Sequence, residues 1–101
     1  MDAPQGQVPE AFALEQNFPN PFNPSTTISF ALTKAGEVRL AIYNMNGQLV
    51  KQLVAGALEA GRHDVAWDAT DARGARVTSG MYLYVIKAGD FTAQRKLVLM
   101  K

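Results

Sequence analysis

The sequence predicts an all-β domain, an antiparallel β-sandwich of about seven strands. Apolar and polar residues alternate with period two in several stretches, which is typical of half-buried strands. Turn signals rich in Gly, Asn and Asp recur between these stretches every eight to twelve residues, and no helical periodicity lasts longer than one turn. A chain of 101 residues suits one domain with a modest core.

The first three predicted strands cover residues 12–16, 26–32 and 37–44. The first is short and alternates apolar with polar residues. The second is rich in β-branched and aromatic residues, and its apolar residues share one face. The third alternates most regularly, so one face is expected to pack in the core and the other to meet water.

Residues 17–24, called here the proline segment, connect the first two strands with the sequence Asn-Phe-Pro-Asn-Pro-Phe-Asn-Pro. Its three prolines lack a backbone N–H, so neither a helix nor a central strand can run through it. We expect Phe18 and Phe22 to plug one end of the core, and Asn20 and Asn23 to cap local turns. A polyproline ligand is the minor alternative.

A hairpin is predicted after the third strand. Asn46 and Gly47 tolerate positive φ and form the strongest short hairpin signal. The return strand covers residues 48–54, where Val50 and Leu53 are out of step with period two. Their positions predict a bulge or a local twist.

The last three predicted strands cover residues 62–68, 81–87 and 91–100, after a connection at 55–60 that could contain one helical turn. Residues 81–87 are apolar on both faces, which is typical of a strand in the middle of a sheet. Trp67 is expected to be the central core residue. Because the chain has no cysteine, we expect an Ig-like topology without its disulfide.

Composition narrows the class of protein. Apolar residues make up 48% and charged residues 19%, a composition typical of globular proteins. The first fifteen residues have a net charge of −3 and the remainder has +4, a bias too small to favour nucleic-acid binding. No apolar run is long enough to span a membrane, and no signal peptide is recognisable. Residues 1–11 resemble a linker, with Met1 as an expression start.

No pattern of catalytic residues emerges, so we do not expect an enzyme or a cofactor. His63 is the only histidine, and no nucleophile elbow or phosphate-binding glycine loop is present. Asp68 and Asp71, with Gly74, form a weak calcium candidate that lacks a third acid and a closing glutamate. The alternative is that both carboxylates cap their own turns.

Four aromatic residues could be imagined as a sugar-stacking platform. Their strand positions favour the core instead, with hydroxyl groups reaching water. The four are Tyr43, Trp67, Tyr82 and Tyr84.

Four blocks together resemble the type A C-terminal sorting domain of the type IX secretion system: residues 14–28, 43–50, a middle block of 60–68 with Gly74 and 79–84, and 94–101. The Ig-like domain of the flagellar hook-capping protein is similar and shares several of these motifs. Ala69 departs from the pattern, because a glycine often follows Trp-Asp. The motif residues are Asn20, Pro21, Phe22, Asn23, Pro24, Gly47, Gly80 and Tyr82.

The resemblance implies a sorting signal over residues 12–101 that is carried by a Gram-negative, Bacteroidota-like bacterium. A cargo protein would be joined N-terminal to residue 1. A translocon and a shuttle protein would recognise the domain after folding in the periplasm, and a sortase would cut within residues 1–12. The cargo would then reach the cell surface or the medium, and the domain itself would be monomeric. The alternatives are a carbohydrate-binding accessory module and a structural cap of an extracellular or flagellar assembly.

The last strand is the expected recognition element. If it lies at a sheet edge, its unpaired backbone groups could accept a partner's strand. Deleting residues 97–101 is then predicted to abolish secretion while leaving a folded or partly folded domain. The alternative is that these residues complete the core. The proposed recognition residues are Arg95, Lys96, Leu97, Val98, Leu99, Met100 and Lys101.

Overall fold

The computed structural model describes residues 9–22 and 24–100. These residues form seven strands, all paired antiparallel, which confirms the predicted all-β sandwich. The strands are β1 (Ala13–Leu14), β2 (Thr26–Leu32), β3 (Gly36–Asn44), β4 (Leu49–Leu58), β5 (Gly61–Trp67), β6 (Gly80–Ala88) and β7 (Phe91–Leu99).

The strands form two sheets, one ordered β1-β2-β5 and the other β4-β3-β6-β7. β1 contacts β7, so these two edge strands lie on one side of the sandwich. β4 and β5, joined by two residues, are the other two edge strands. As predicted, β6 lies inside its sheet, between β3 and β7.

The core lies between the two sheets. Trp67 is buried, as predicted, and its ring centroid lies 5.6 Å from those of both Phe22 and Tyr82. Its Nε1 donates a hydrogen bond to the carbonyl oxygen of Thr70 at 2.9 Å, so the indole has both apolar neighbours and a polar partner. The other large core side chains are Leu14, Ile28, Phe30, Leu32, Val38, Leu40, Ile42, Tyr84, Ile86, Leu97 and Leu99.

The β3–β4 hairpin confirms the predicted turn and bulges. Gly47 has φ of 82° and donates its N–H to the carbonyl oxygen of Asn44 at 3.0 Å. The register along β4 skips one residue at Leu53 and one at Val50, the two positions that are out of step in the sequence. A skipped residue shifts which side chains of the strand face the core.

Two details differ from prediction. β4 continues to Leu58, so residues 55–60 form no helical turn; small residues such as Ala57 and Gly56 pair with β3 instead. β1 is only Ala13–Leu14, because the chain leaves the sheet early towards the proline segment. Within the described part of the chain, no helix has the length and apolar character needed to cross a membrane.

Candidate interaction site

The proline segment bridges the two sheets. On one side, the N–H of Phe18 donates to the carbonyl oxygen of Thr27 at 2.9 Å, and the N–H of Thr27 donates back at 3.0 Å. On the other side, the N–H of Phe22 donates to the carbonyl oxygen of Val98, and the N–H of Met100 donates to that of Phe22, both at 2.9 Å. The segment therefore ties β2 to the end of β7 and closes this side of the sandwich.

The two phenylalanines of the segment have different environments. Phe22 is 1% exposed and packs in the core, as predicted. Phe18 is 79% exposed, so its predicted role as a core plug is wrong. Phe18 lies directly opposite Thr27, an exposed residue, and paired residues point to the same face of a sheet. The pairing therefore turns the Phe18 ring outward.

The sequence predicted that Asn20 caps a local turn, but its side chain instead contacts the last strand. Its Oδ1 accepts a hydrogen bond from the N–H of Val98 at 2.9 Å. The peptide bonds before Pro19 and Pro21 are cis. The predicted turn cap at Asn23 lies outside the described residues.

Asn17 is a polar residue that sequence reasoning missed. It is 2% exposed, and its Nδ2 donates to the carbonyl oxygen of Pro19 at 3.1 Å and to Oγ1 of Thr26 at 3.0 Å. An asparagine directly before a proline-rich turn is a signal that could have found it, because such side chains often bond to nearby backbone. Asn17 thus fixes the entry to the proline segment from inside the protein.

Tyr84 connects this entry to β6. Its buried hydroxyl donates to the carbonyl oxygen of Glu15 at 2.6 Å and accepts the N–H of Asn17 at 2.8 Å. Burial raises the pKa of the phenol, although the Asn17 N–H and the nearby charge of Arg95 act in the opposite direction. The neutral hydroxyl is therefore the form that the fold selects.

Two further contacts join β7 to the start of the chain. Nε of Arg95 donates to the carbonyl oxygen of Leu14 at 2.6 Å, and Nε2 of Gln16 donates to that of Lys96 at 2.8 Å. Both acceptors are backbone groups at the β1 and β7 edges, which lack a strand partner there. These side chains extend the closure that the proline segment begins.

β7 is an edge strand, which meets the condition for strand addition, but most of its last part is covered. The backbone groups of β7 that point away from β6 are in question here. Both such groups of Val98, the carbonyl of Lys96 and the N–H of Met100 have hydrogen-bond partners within residues 16–22. By period two, the outward groups of Thr92 and Gln94 are the next along the edge, and no described residue bonds to them. The prediction of an open edge is therefore wrong at the end of β7 and applies only to its beginning. Lys101 lies outside the described residues.

The last block also completes the core. Leu97 is 0% and Leu99 is 4% exposed, and both belong to the central cluster. Deleting residues 97–101 would remove two core side chains and the partners of Phe22. The structure thus favours the alternative in which truncation unfolds the domain.

The remaining motif residues are structural. Gly80 starts β6 opposite Leu99, and the Tyr82 hydroxyl donates to the carbonyl oxygen of Thr78 at 2.6 Å. Gly47 forms the hairpin turn at the same end of the four-stranded sheet, where Asn44 pairs with Tyr82. Pro24 is exposed at the surface.

The calcium candidates do not converge on a shared site. Oδ1 of Asp71 accepts the N–H groups of Arg73 at 2.9 Å and Ala75 at 3.0 Å, so this carboxylate caps its own turn. Asp68 accepts the hydroxyl of Thr70. These hydrogen bonds lower the pKa of both carboxyl groups. Among the residues that the structure describes, no three potential ligands lie close enough to hold a metal ion.

The aromatic residues form no exposed platform. Trp67, Tyr82 and Tyr84 are buried, as the sequence predicted, whereas the predicted burial of Tyr43 is wrong, because this residue is half-exposed. The predicted contact of the hydroxyl groups with water is wrong at Tyr84, whose hydroxyl bonds to backbone groups of Glu15 and Asn17. His63 is half-buried and stacks on Phe30, with ring centroids 5.4 Å apart.

Known proteins resemble this chain in both sequence and fold. The model of the FlgD Ig-like domain family matches residues 20–90. FlgD from Xanthomonas campestris, a protein of hook capping in flagellar assembly, is 36% identical over 90% of the chain, with a TM-score of 0.59. PorZ, a surface component of the type IX secretion system of Porphyromonas gingivalis, is 20% identical over 91% of the chain, with a TM-score of 0.60. At 20% identity, the likeness to PorZ establishes a shared fold and nothing more.

The chain covers 63% of the FlgD chain and 12% of the PorZ chain, which is less than two thirds of either. No curated protein matches it. Because the family model spans most of the chain, the protein belongs to the family of FlgD Ig-like domains.

Proposed function

We propose that the domain is a C-terminal sorting signal that directs an attached cargo through the type IX secretion system. The contact between the first and last blocks of the resemblance carries this proposal. Residues 17–24 and 94–101 are far apart in sequence, yet Phe22 and Asn20 bond directly to the end of β7. In further support, a domain of this fold occurs in PorZ, a component of the type IX secretion system.

Recognition would use the exposed side of this contact, called here the β7 edge surface: Phe18, Asn20, Arg95, Lys96 and Met100, all exposed. Translocon, shuttle protein and sortase would meet this surface in the periplasm. Strand addition would begin near Thr92 and Gln94, because the proline segment occupies the rest of the edge.

The cargo would precede residue 1, and the sortase would cut within residues 1–12. Such a signal acts by being bound, so it needs no catalytic residue or cofactor of its own. The cargo would be released to the cell surface or the medium after passing through the periplasm of a Gram-negative host.

The test is export of a reporter fused to residues 1–101, with a periplasmic signal supplied, in a host that has the type IX machinery. We expect secretion of the reporter and loss of the domain, with the cut site read by mass spectrometry. Phe18→Ser is expected to reduce secretion, since it changes an exposed ring of the β7 edge surface. Met45→Ser, which alters an exposed apolar residue of the β3–β4 turn, is the matched control. A folded wild-type fusion that stays in the periplasm would refute the sorting role.

The 36% identity to FlgD favours a second candidate, a structural module of an extracellular or flagellar assembly. Such a module would bind stably to filament or hook subunits and would remain uncut. Co-sedimentation of the purified domain with assembled filaments distinguishes the two, because a transient sorting signal would not sediment with them.

A further inference from the structure

One face of β6 is left partly uncovered by the residues that the structure describes, although its apolar sequence leads one to expect burial. Tyr82, Tyr84 and Ile86 fill the core, while Met81, Leu83 and Val85 point to the opposite face of the sheet. A strand that is apolar on both faces is typical of strands buried on both sides. Here Met81 is 47% exposed, and Leu83 and Val85 are only half-buried.

The register joins these residues to apolar neighbours on the other strands. Leu83 lies opposite Tyr43 of β3, and Tyr43 lies opposite Leu49 of β4, which is 59% exposed. Met81 lies opposite Val98 of β7. Together with Val85, these five residues form a continuous apolar surface across all four strands, called here the outer patch. Such surfaces often mark interaction sites.

Positive charge borders the outer patch. Lys96 lies opposite Leu83, and Arg39 lies directly opposite Lys87 on the same face. Like charges placed opposite each other destabilise a sheet in isolation. Glu37 is the only acid among the described residues of this face, so the face carries two more positive than negative side chains. None of the three cations forms an ion pair with a described residue.

This charge decides which occupant fits. A second copy stacked on the same face would bring cations towards cations, because a two-fold interface places the same surface on both sides. A partner surface with an apolar centre and carboxylates around it would match both the apolar patch and its positive border.

We propose that the outer patch docks a different protein, one whose binding surface has an apolar centre flanked by Asp or Glu side chains. This docking goes beyond the sorting role and does not depend on it. It shares only Lys96 with the β7 edge surface and involves three further strands.

The experiment replaces Met81 by a photo-crosslinking amino acid in the whole protein, expressed in its source organism. Ala66, exposed on the outer face of the three-stranded sheet, is the control position. We expect an adduct with one other protein from position 81 and none from position 66. Mass spectrometry identifies that protein and the acidic residues around the cross-linked site.

Charge and shape are then tested with the identified protein and the purified domain. Arg39→Glu is expected to weaken binding by about tenfold, with a stronger effect at low salt. Leu83→Lys is expected to abolish binding, whereas Ala66→Lys should leave it unchanged. Circular dichroism checks that each variant is folded, and Met81→Lys replaces Leu83→Lys if the latter is not.

Several results would overturn the proposal: no adduct at position 81, an adduct only with a second copy, an equal adduct at position 66, or binding that Arg39→Glu does not weaken. Since the cross-link is read without export, a failure of the sorting role leaves this outcome unaffected.

Discussion

Tyr84→Phe should weaken the closure between the start of the chain and β6. The hydroxyl bridges the carbonyl oxygen of Glu15 and the N–H of Asn17, at 2.6 and 2.8 Å. Asn17 is 2% exposed, so water cannot easily replace the lost partner. Leaving a buried group unsatisfied costs ~1–3 kcal/mol, and we expect a loss of about 2 kcal/mol in the free energy of unfolding.

Urea unfolding monitored by Trp67 fluorescence measures this loss, with the slope of the free energy against urea expected to stay unchanged. Tyr43→Phe is the matched control, because Tyr43 is half-exposed on the outer patch; we expect a change within ~0.5 kcal/mol. Equal midpoints for Tyr84→Phe and the wild type would refute the bridging role of the hydroxyl.

The same residue predicts a pH dependence. Burial raises the pKa of Tyr84 in the folded protein, whereas the unfolded chain titrates near pH ~10. Above that pH the unfolded state loses its proton first, so the stability that is present at lower pH declines as the pH rises. Tyr84→Phe should make the decline less steep, and unfolding midpoints between neutral pH and pH 11 test this.

Five further substitutions can be measured by the same urea unfolding. Phe22→Ala should cost about 3–5 kcal/mol because it empties a buried site, whereas Phe18→Ala, at an exposed ring, should stay within ~0.5 kcal/mol; similar losses would contradict the burial difference. Gly47→Ala should cost about 1 kcal/mol, since φ is 82° there; an unchanged midpoint would argue against that turn. Ala69→Gly should raise the free energy of unfolding by about 0.5 kcal/mol, because Ala69 has φ of 64° and a glycine relieves that strain. We expect this relief to exceed the cost of the extra entropy of an unfolded glycine. A lower free energy of unfolding would mean that the lost packing of the buried methyl group outweighs the relief. Asp71→Ala should lower the midpoint more at pH 7 than at pH 2, because the lowered pKa of Asp71 gives stability that is present above pH ~4 and is lost as the pH falls through the folded-state pKa; an equal deficit at both pH values would refute the capping role.

Local patterns predicted the strands well. Period-two alternation is set by the backbone geometry of each strand, so it identifies β3, β5 and β6 without knowledge of their partners. The bulges at Val50 and Leu53 were visible for the same reason, since a skipped residue interrupts the alternation. The position of β6 inside its sheet followed from its two apolar faces.

Contacts between distant segments were not predictable in this way. Asn20 bonds to Val98 across 78 positions of sequence, and no local pattern encodes such a pairing. Phe18 and Phe22 are both aromatic residues next to prolines, and only their different partners, Thr27 and the end of β7, decide which ring is buried. The bond of Asn17 to the carbonyl oxygen of Pro19 has a local signal, but its bonds to Thr26 and Tyr84 have none.

The last strand shows how one block can serve both fold and recognition. By period two, Leu97 and Leu99 face the core, while Lys96 and Val98 face outward beside Leu83 and Met81. A truncation removes both sets of side chains and therefore cannot separate a role in folding from a role in binding. Substitution of the outward side chains can separate the two roles, because it leaves the core and the backbone bonds to Phe22 intact. If the block is a signal, its information lies in these outward residues, and the inward ones hold them in place.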